Sequence, residues 1–172
     1  MILTGESGSG KTTICAQVAA LAQAQGLKAA GVLTSPRLAG GGKVGLDVED
    51  IRTGECRPLA ERVGTVDGPA IGDWHFHKDG LAWGTMVLRN ATPCDMLVID
   101  ELGPLELVQG EGWTISINVL RAGGFRLALV VVRPALVSCL QERLDGIKSF
   151  TLAVTGADRE VLPGEILALL AS

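Results

Sequence analysis

The chain has no tyrosine, and only three tryptophans and three phenylalanines among its 172 residues. It therefore lacks the aromatic platforms on which single-stranded nucleic acids stack. Basic residues are in deficit, with 15 Lys and Arg against 19 Asp and Glu, a net charge of −4 and a pI near 5.2. They are dispersed rather than gathered in a block, so neither a nucleic acid nor a membrane surface is expected as a partner. The four cysteines, Cys15, Cys56, Cys94 and Cys139, form no CxxC pair. Their mostly apolar neighbours predict reduced thiols in a cytoplasmic protein rather than disulfides or a zinc site. Long hydrophobic runs are absent as well. Mean hydropathy is positive at +0.34, yet the longest apolar stretches, 127–132 and 166–171, fall far short of the roughly 20 residues that span a bilayer. No basic segment followed by an apolar one precedes the first glycine loop, so no export signal is expected.

What is present begins at the glycine loop. Gly5-Glu6-Ser7-Gly8-Ser9-Gly10-Lys11-Thr12 satisfies GxxxxGK[ST] in full, with Thr13 following. Glycines at these positions let the backbone curl until successive N–H groups converge on phosphate oxygens, and the positive end of the following helix adds to their pull. Lys11 is expected on the β- and γ-phosphates, and the Thr12 hydroxyl on Mg²⁺. The context is the required one: residues 1–4 read as an apolar strand, and Lys11 to about Gln25 as a helix with Ile14, Val18, Leu21 and Ala22 on one face and Gly26 as its stop.

Further along, 29–35, 96–99, 126–132 and 150–155 read as buried strands. Segments 80–90, 114–121, 134–144 and a closing stretch from Pro163 read as helices. Residues 36–42, with Pro36, Arg37 and the run Gly40-Gly41-Gly42, suit a flexible tip. Alternating polarity over 44–51, a turn at Thr53-Gly54-Glu55 and a weaker strand to Leu59 predict an inserted β-hairpin. Residues 61–71 read as loop, and 74–77 as a short strand. The expectation is one α/β domain over 1–172, a three-layer P-loop NTPase fold whose mainly parallel sheet carries a hairpin around 44–59.

A second acidic motif stands 89 positions beyond Lys11, where Leu97-Val98-Ile99 ends in Asp100-Glu101. Asp100 fits the acceptor that orients a water on the Mg²⁺, and Glu101 is placed to direct the water that attacks the γ-phosphorus. A bare pair of acids at a strand end is also what a solvated loop begins with; the phosphate loop upstream favours the chemical reading.

With both motifs in hand, the chain resembles the small nucleoside-triphosphatase family that includes the vertebrate cancer-related nucleoside-triphosphatase. The likeness runs over nearly the whole length. It is carried by 5–13, by Gly31-Val32-Leu33-Thr34-Ser35-Pro36-Arg37 with Lys43 and Gly45-Leu46-Asp47-Val48, and most specifically by Ile99-Asp100-Glu101-Leu102-Gly103-Pro104-Leu105-Glu106-Leu107. Near the end, Val154-Thr155, Arg159, Leu162 and Pro163 add to it. The chain departs from the family pattern at Asp158, where Asn is usual, at Leu46, where an aromatic is common, and at Ser35-Pro36, which replaces an acidic pair. The resemblance implies slow, Mg²⁺-dependent hydrolysis of several nucleoside triphosphates to diphosphate and phosphate.

Four basic residues stand as further candidates. Arg37, beside the glycine tip, either swings onto the γ-phosphate or is a plain surface arginine, and Lys43 shares that ambiguity. Arg133, just after the strand at 126–132, reads as a γ-phosphate sensor or as a charge capping the strand end. By family likeness Arg159 contacts base or ribose, or it simply flanks a helix. The pair His75 and His77 shares one face of a strand but has no evident third metal ligand, and Glu106 lies near the site or merely continues the loop. No NKxD guanine reader is present, so base preference is open. Two other readings compete with hydrolysis: a nucleotide-gated partner protein with little turnover of its own, as in cofactor or metal-centre maturation, and a small nucleotide or metabolite kinase.

Overall fold

The computed structural model describes residues 1–172 apart from Val63, Thr65 and Ser172, and gives no account of the Ala171 side chain. The apolar runs become strands, and the segments of helical spacing become the layers that cover them. In chain order the elements are β1 (Ile2–Thr4), α1 (Lys11–Ala24), β2 (Ala29–Ala39), β3 (Gly42–Asp50), β4 (Cys56–Glu61), β5 (Ala70–Ile71) and β6 (Trp74–Phe76). There follow α2 (Lys78–Arg89), β7 (Met96–Leu102), α3 (Pro104–Leu107), α4 (Ile115–Ala122), β8 (Leu127–Val132), α5 (Val137–Arg143), β9 (Thr151–Ala153) and α6 (Leu162–Ala171). Single 3₁₀ turns at Pro134–Leu136 and Gly156–Arg159 precede the last two helices.

The described residues form one nine-stranded sheet in the order β5-β6-β4-β3-β2-β7-β8-β1-β9. Its centre, β2-β7-β8-β1-β9, is parallel throughout. Period-two alternation splits each central strand between two cores. Leu3, Met96, Val98, Leu129 and Val131 face Ile14, Val18 and Ala22 of α1 and Ile166 and Leu170 of α6. Ile2, Leu97, Ile99, Val130 and Val132 face Leu81 and Leu88 of α2, Val119 and Leu120 of α4 and Leu140 of α5. Each such side chain contributes about 1.5–3 kcal/mol through burial, and the result is the expected three-layer arrangement. One expected core position differs: Leu21 of α1 is 42% exposed, while Cys15 and Ala19 are buried in its place. The buried stripe thus runs through 14, 15, 18, 19 and 22, the i, i+4 rows that a straight helix turns toward the sheet.

The inserted hairpin is present and is larger than the alternation at 44–59 suggests. β2 does not stop at Ser35. Its first residues, Ala29–Val32, pair with Met96–Ile99 of β7, and from Val32 to Ala39 it pairs antiparallel with β3. Residues 36–39, expected as a flexible tip, are therefore strand, and only Gly40 and Gly41 turn the chain, both at positive φ. β4, β6 and β5 extend the antiparallel wing in that order. Among the described residues no helix is long and apolar enough to cross a membrane.

The crossing from parallel centre to antiparallel wing is tight at Gly31. It sits opposite Val98 at φ +111°, and a Cβ there would run into the Val98 carbonyl oxygen. Gly31→Ala should therefore cost about 2–3 kcal/mol through backbone strain and crowding, read as a lowered urea midpoint at unchanged slope. An unaltered midpoint would contradict this register between β2 and β7.

Candidate active site

Two chain reversals create the cleft. From β1 the chain crosses over β8 and β7 to reach β2, whereas from β8 it crosses the other way, over β1, to reach β9. The loops after β1 and β8 part at their carboxyl ends, which is where open α/β sheets bind ligands. The hollow between them is lined by Gly5, Glu6, Ser7, Gly8, Gly10, Lys11, Thr12, Thr13, Pro36, Lys43, Glu101, Val131, Arg133, Pro134 and Arg159, with a volume of about 490 Å³. Lining it are eight of the nine predicted loop residues from Gly5 to Thr13; Ser9 turns its hydroxyl toward the Lys11 ammonium instead, at 3.2 Å.

Gly10 adopts a left-handed conformation (φ 101°, ψ 14°) as the residue capping α1, the geometry that lets the loop curl into the helix. The helix has no side-chain cap and no acidic residue in its first turn. Its positive end is left to an external anion. Lys11 Nζ donates to the carbonyl oxygens of Gly5 and Glu6, both at 2.8 Å, so the ammonium is folded across the loop. Burial lowers the Lys11 pKa from its ordinary value, with Glu101 and Asp100 opposing that and Arg133 adding to it.

Asp100 is fully buried. Its Oδ2 accepts from the Thr34 backbone N–H and from the Thr34 hydroxyl, both at 3.0 Å, and its Oδ1 accepts from the Thr12 hydroxyl at 3.1 Å. Desolvation raises its pKa from 3.8 to about 6, the bonds from Thr34 and Thr12 opposing the shift and the neighbouring Glu101 charge adding to it. In the sequence Thr34 stands only as one residue of an apolar strand in the family-like stretch 31–37; the pairing of β2 with β7 brings it to the carboxylate. Among the described residues no group of three or more His, Cys, Asp or Glu could hold a metal. The Thr12 and Asp100 oxygens are instead two hard donors side by side. That set fits Mg²⁺, which keeps several waters and takes further oxygens from substrate phosphates.

Glu101 is the one non-glycine residue at positive φ (70°) among the described residues. The register explains it: Ile99 opposes Val130 and Leu102 opposes Val132, so Asp100 and Glu101 share the space across from Val131. Such a bulge re-aims a side chain. Asp100 keeps the α1 face that Met96 and Val98 take, which brings it to Thr12, while the bulge returns Leu102 to the opposite core and leaves Glu101 opening on the cleft. Left-handed backbone at a non-glycine residue costs about 1–3 kcal/mol and clusters at functional sites. Arg133 donates from Nε (3.1 Å) and Nη2 (2.9 Å) to the same oxygen, Glu101 Oε1. The sequence left Arg133 between sensor and cap; the structure places it in the cleft, paired with Glu101.

The remaining candidates separate. Arg159 donates to the carbonyl oxygens of Ser9 (3.3 Å) and Gly8 and borders the cleft. Arg37 does not line the cleft. It is held between Asp47 (2.9 Å) and Glu61 (2.5 Å) on the antiparallel wing, whereas Lys43 from the same hairpin does line it. His77 lies 3.2 Å from Glu61, and His75 belongs to no metal-holding group of three. Glu106 is buried beneath the site, accepting from the backbone N–H of Gly103 (2.9 Å) and Trp113 (3.1 Å). Burial raises its pKa, and these bonds oppose the rise. It fastens the loop that leaves Glu101, so the sequence's open choice for Glu106 resolves toward a place beside the site.

Comparison with known proteins gives the family. A family model described as NTPase matches residues 1–167. A nucleoside-triphosphatase THEP1 of Thermofilum pendens is 33% identical over 175 residues, covering 99% of this chain and 94% of its own length. The solution structure of a human cancer-related nucleoside triphosphatase superposes with a TM-score of 0.72 at 25% identity, covering 98% of this chain and 95% of that one. The crystal structure of THEP1 from Aquifex aeolicus, at 20% identity, shares the fold with a TM-score of 0.75 over 100% of this chain and 99% of that one. A phosphate loop and paired acids on such a sheet, with a match running almost end to end, leave one assignment: the chain belongs to the NTPase family.

Proposed function

We propose that this enzyme hydrolyses nucleoside triphosphates to diphosphate and phosphate, with Mg²⁺ as cofactor and with Glu101 positioning the water. The observation that carries this reading is the placement of the two acids: Asp100 is tied to Thr12 at the phosphate loop, and Glu101, at the bulge, faces the cleft. The loop and the uncapped end of α1 bind the triphosphate tail, and Lys11 exchanges its bonds to the Gly5 and Glu6 carbonyls for phosphate oxygens. Magnesium, held by Thr12 Oγ1 and through water by Asp100, would neutralise charge on the β- and γ-phosphate oxygens when bound. Glu101 accepts a hydrogen bond from the attacking water and orients its lone pair toward the γ-phosphorus. Arg133, paired with one oxygen of Glu101, holds that carboxylate in place and adds positive charge beside the transferred group. The match of Arg159 to the loop carbonyls supports a role at the nucleotide's outer end.

Three outcomes test the reading. Glu101→Gln should bind nucleotide normally yet lose roughly 10²–10⁴ in turnover, measured as phosphate release; undiminished release would remove Glu101 from the mechanism. Lys11→Ala should abolish ligand-induced stabilisation, which for the parent is about 2.7 kcal/mol at a hundredfold excess of nucleotide over Kd. A thermal shift equal to the parent's would contradict the phosphate-loop assignment. Asp100 supplies the pH dependence. A folded pKa of about 6 against an ordinary 3.8 means that ionisation works against the fold: without Mg²⁺, stability should fall by about 2 kcal/mol as pH rises from 4 to 7. Asp100→Asn keeps an oxygen for Thr34 and places an amide beside the Thr12 hydroxyl. In chelator at pH 8 it should melt above the parent while losing Mg²⁺-dependent turnover, and a lower melting temperature would show that the carboxylate charge stabilises the fold.

A further inference from the structure

A second cavity, of about 310 Å³, lies on the other side of Glu101 and Arg133, which line both hollows. Hydrolysis has no use for it, since a water needs no apolar chamber. Its walls draw on the chain's scarcest residues: Trp74, Phe76 and Trp113 make up half of the six aromatic side chains. Trp74 and Phe76 stand two apart on β6, so both project from one face, and Leu46, Leu59 and Ile71 complete the apolar surface. Polar groups stand at defined places. The Glu106 carboxylate accepts the backbone N–H groups of Gly103 and Trp113 and meets its own backbone N–H, and its roughly four lone-pair sites leave room for one further donor. Charge in the cavity is lopsided, with Glu101, Glu106 and Asp73 against Arg133 alone, and Arg133 is already paired with Glu101.

We propose that this cavity is an acceptor site for a small heterocyclic alcohol, neutral or cationic, to which the enzyme transfers the γ-phosphoryl group in place of water. The inference rests on the hydrolytic reading of the neighbouring cleft. Aromatic walls suit a planar ring, Glu106 suits a ring N–H donor, and Glu101 lies where the hydroxyl must lose its proton. Glu101 is paired with Arg133 and Asp73 with Arg62, so no lining cation is left to meet a phosphate, which disfavours an acceptor that already carries one. In the step, the alcohol oxygen bonds to the γ-phosphorus while the bond from that phosphorus to the β,γ-bridging oxygen breaks. The nucleoside diphosphate leaves with that electron pair, and the hydroxyl proton passes to Glu101. The products are a phosphate monoester and a nucleoside diphosphate.

The test follows label from γ-³²P ATP with Mg²⁺ in the presence of adenosine, cytidine or thiamine, with AMP as the charged comparison. Expected is labelled phosphate monoester with at least one of the three alcohols, and none with AMP. Ile71→Trp, which fills the cavity, should lower the ratio of ester to inorganic phosphate at least about tenfold; phosphate release in the same tube reports that it is folded. Should that variant fail to fold, Trp74→Ala makes the same comparison by removing a wall. Label in inorganic phosphate alone with all three alcohols overturns the acceptor site and leaves hydrolysis standing. Label that never leaves ATP overturns both. Labelling of AMP as efficient as that of adenosine, or an ester ratio unchanged in both variants, places the acceptor elsewhere.

Discussion

One buried carboxylate ties together the parts of the molecule on which the site depends. Asp100 has no exposed surface, and its two oxygens are shared among Thr34 of β2 and Thr12 of α1. A charge in that position costs several kcal/mol unless its lone pairs are met. The three hydrogen bonds it accepts dictate how the central strand, its neighbour and the phosphate-loop helix sit against one another. Desolvation still dominates, since the pKa is raised rather than lowered. The local structure is thus poised to gain from a cation, and fold stability and catalytic readiness are in tension at the same atom.

The bulge at Asp100 and Glu101 follows from the same constraint. A regular strand cannot send consecutive side chains to one end of the sheet on the same side. Asp100 reaches the helix by plain alternation with Met96 and Val98; the residue inserted opposite Val131 turns Glu101 to the cleft and returns Leu102 to the opposite core. The left-handed backbone at Glu101 is strained, and the surroundings hold it: Arg133, just past β8, grips the side chain, and Glu106 fastens Gly103 two residues downstream. Those contacts make one unit of Glu101 and the loop that follows it.

β2 has a comparable double role. Its first half completes the parallel sheet and its second half founds the antiparallel wing. The wing carries Lys43 to the phosphate cleft and Leu46, Leu59 and the β5-β6 aromatics to the adjoining cavity. It also retains Arg37 on its own acids, Asp47 and Glu61. An arginine near a glycine turn reads in sequence as mobile; in the folded chain two carboxylates restrain it.

Much of this was legible in the residues. The eight-residue loop, the apolar run ending in two acids, and the alternation of strand and helix spacing each follow from local rules, because a phosphate grip and a buried strand are built from neighbours in the chain. The sequence alone therefore determined the fold class and placed a glycine loop before the first helix and an acidic pair at a strand end. The tertiary structure decided what depends on distant segments meeting. Thr34 reached Asp100 across 66 positions and Arg133 reached Glu101 across 32. The register against Val131 turned Glu101 into the cleft, and β2 ran straight through the expected tip because β3 was there to pair with it. Patterning along one strand cannot report its partner's register, and that register is what set the site's geometry.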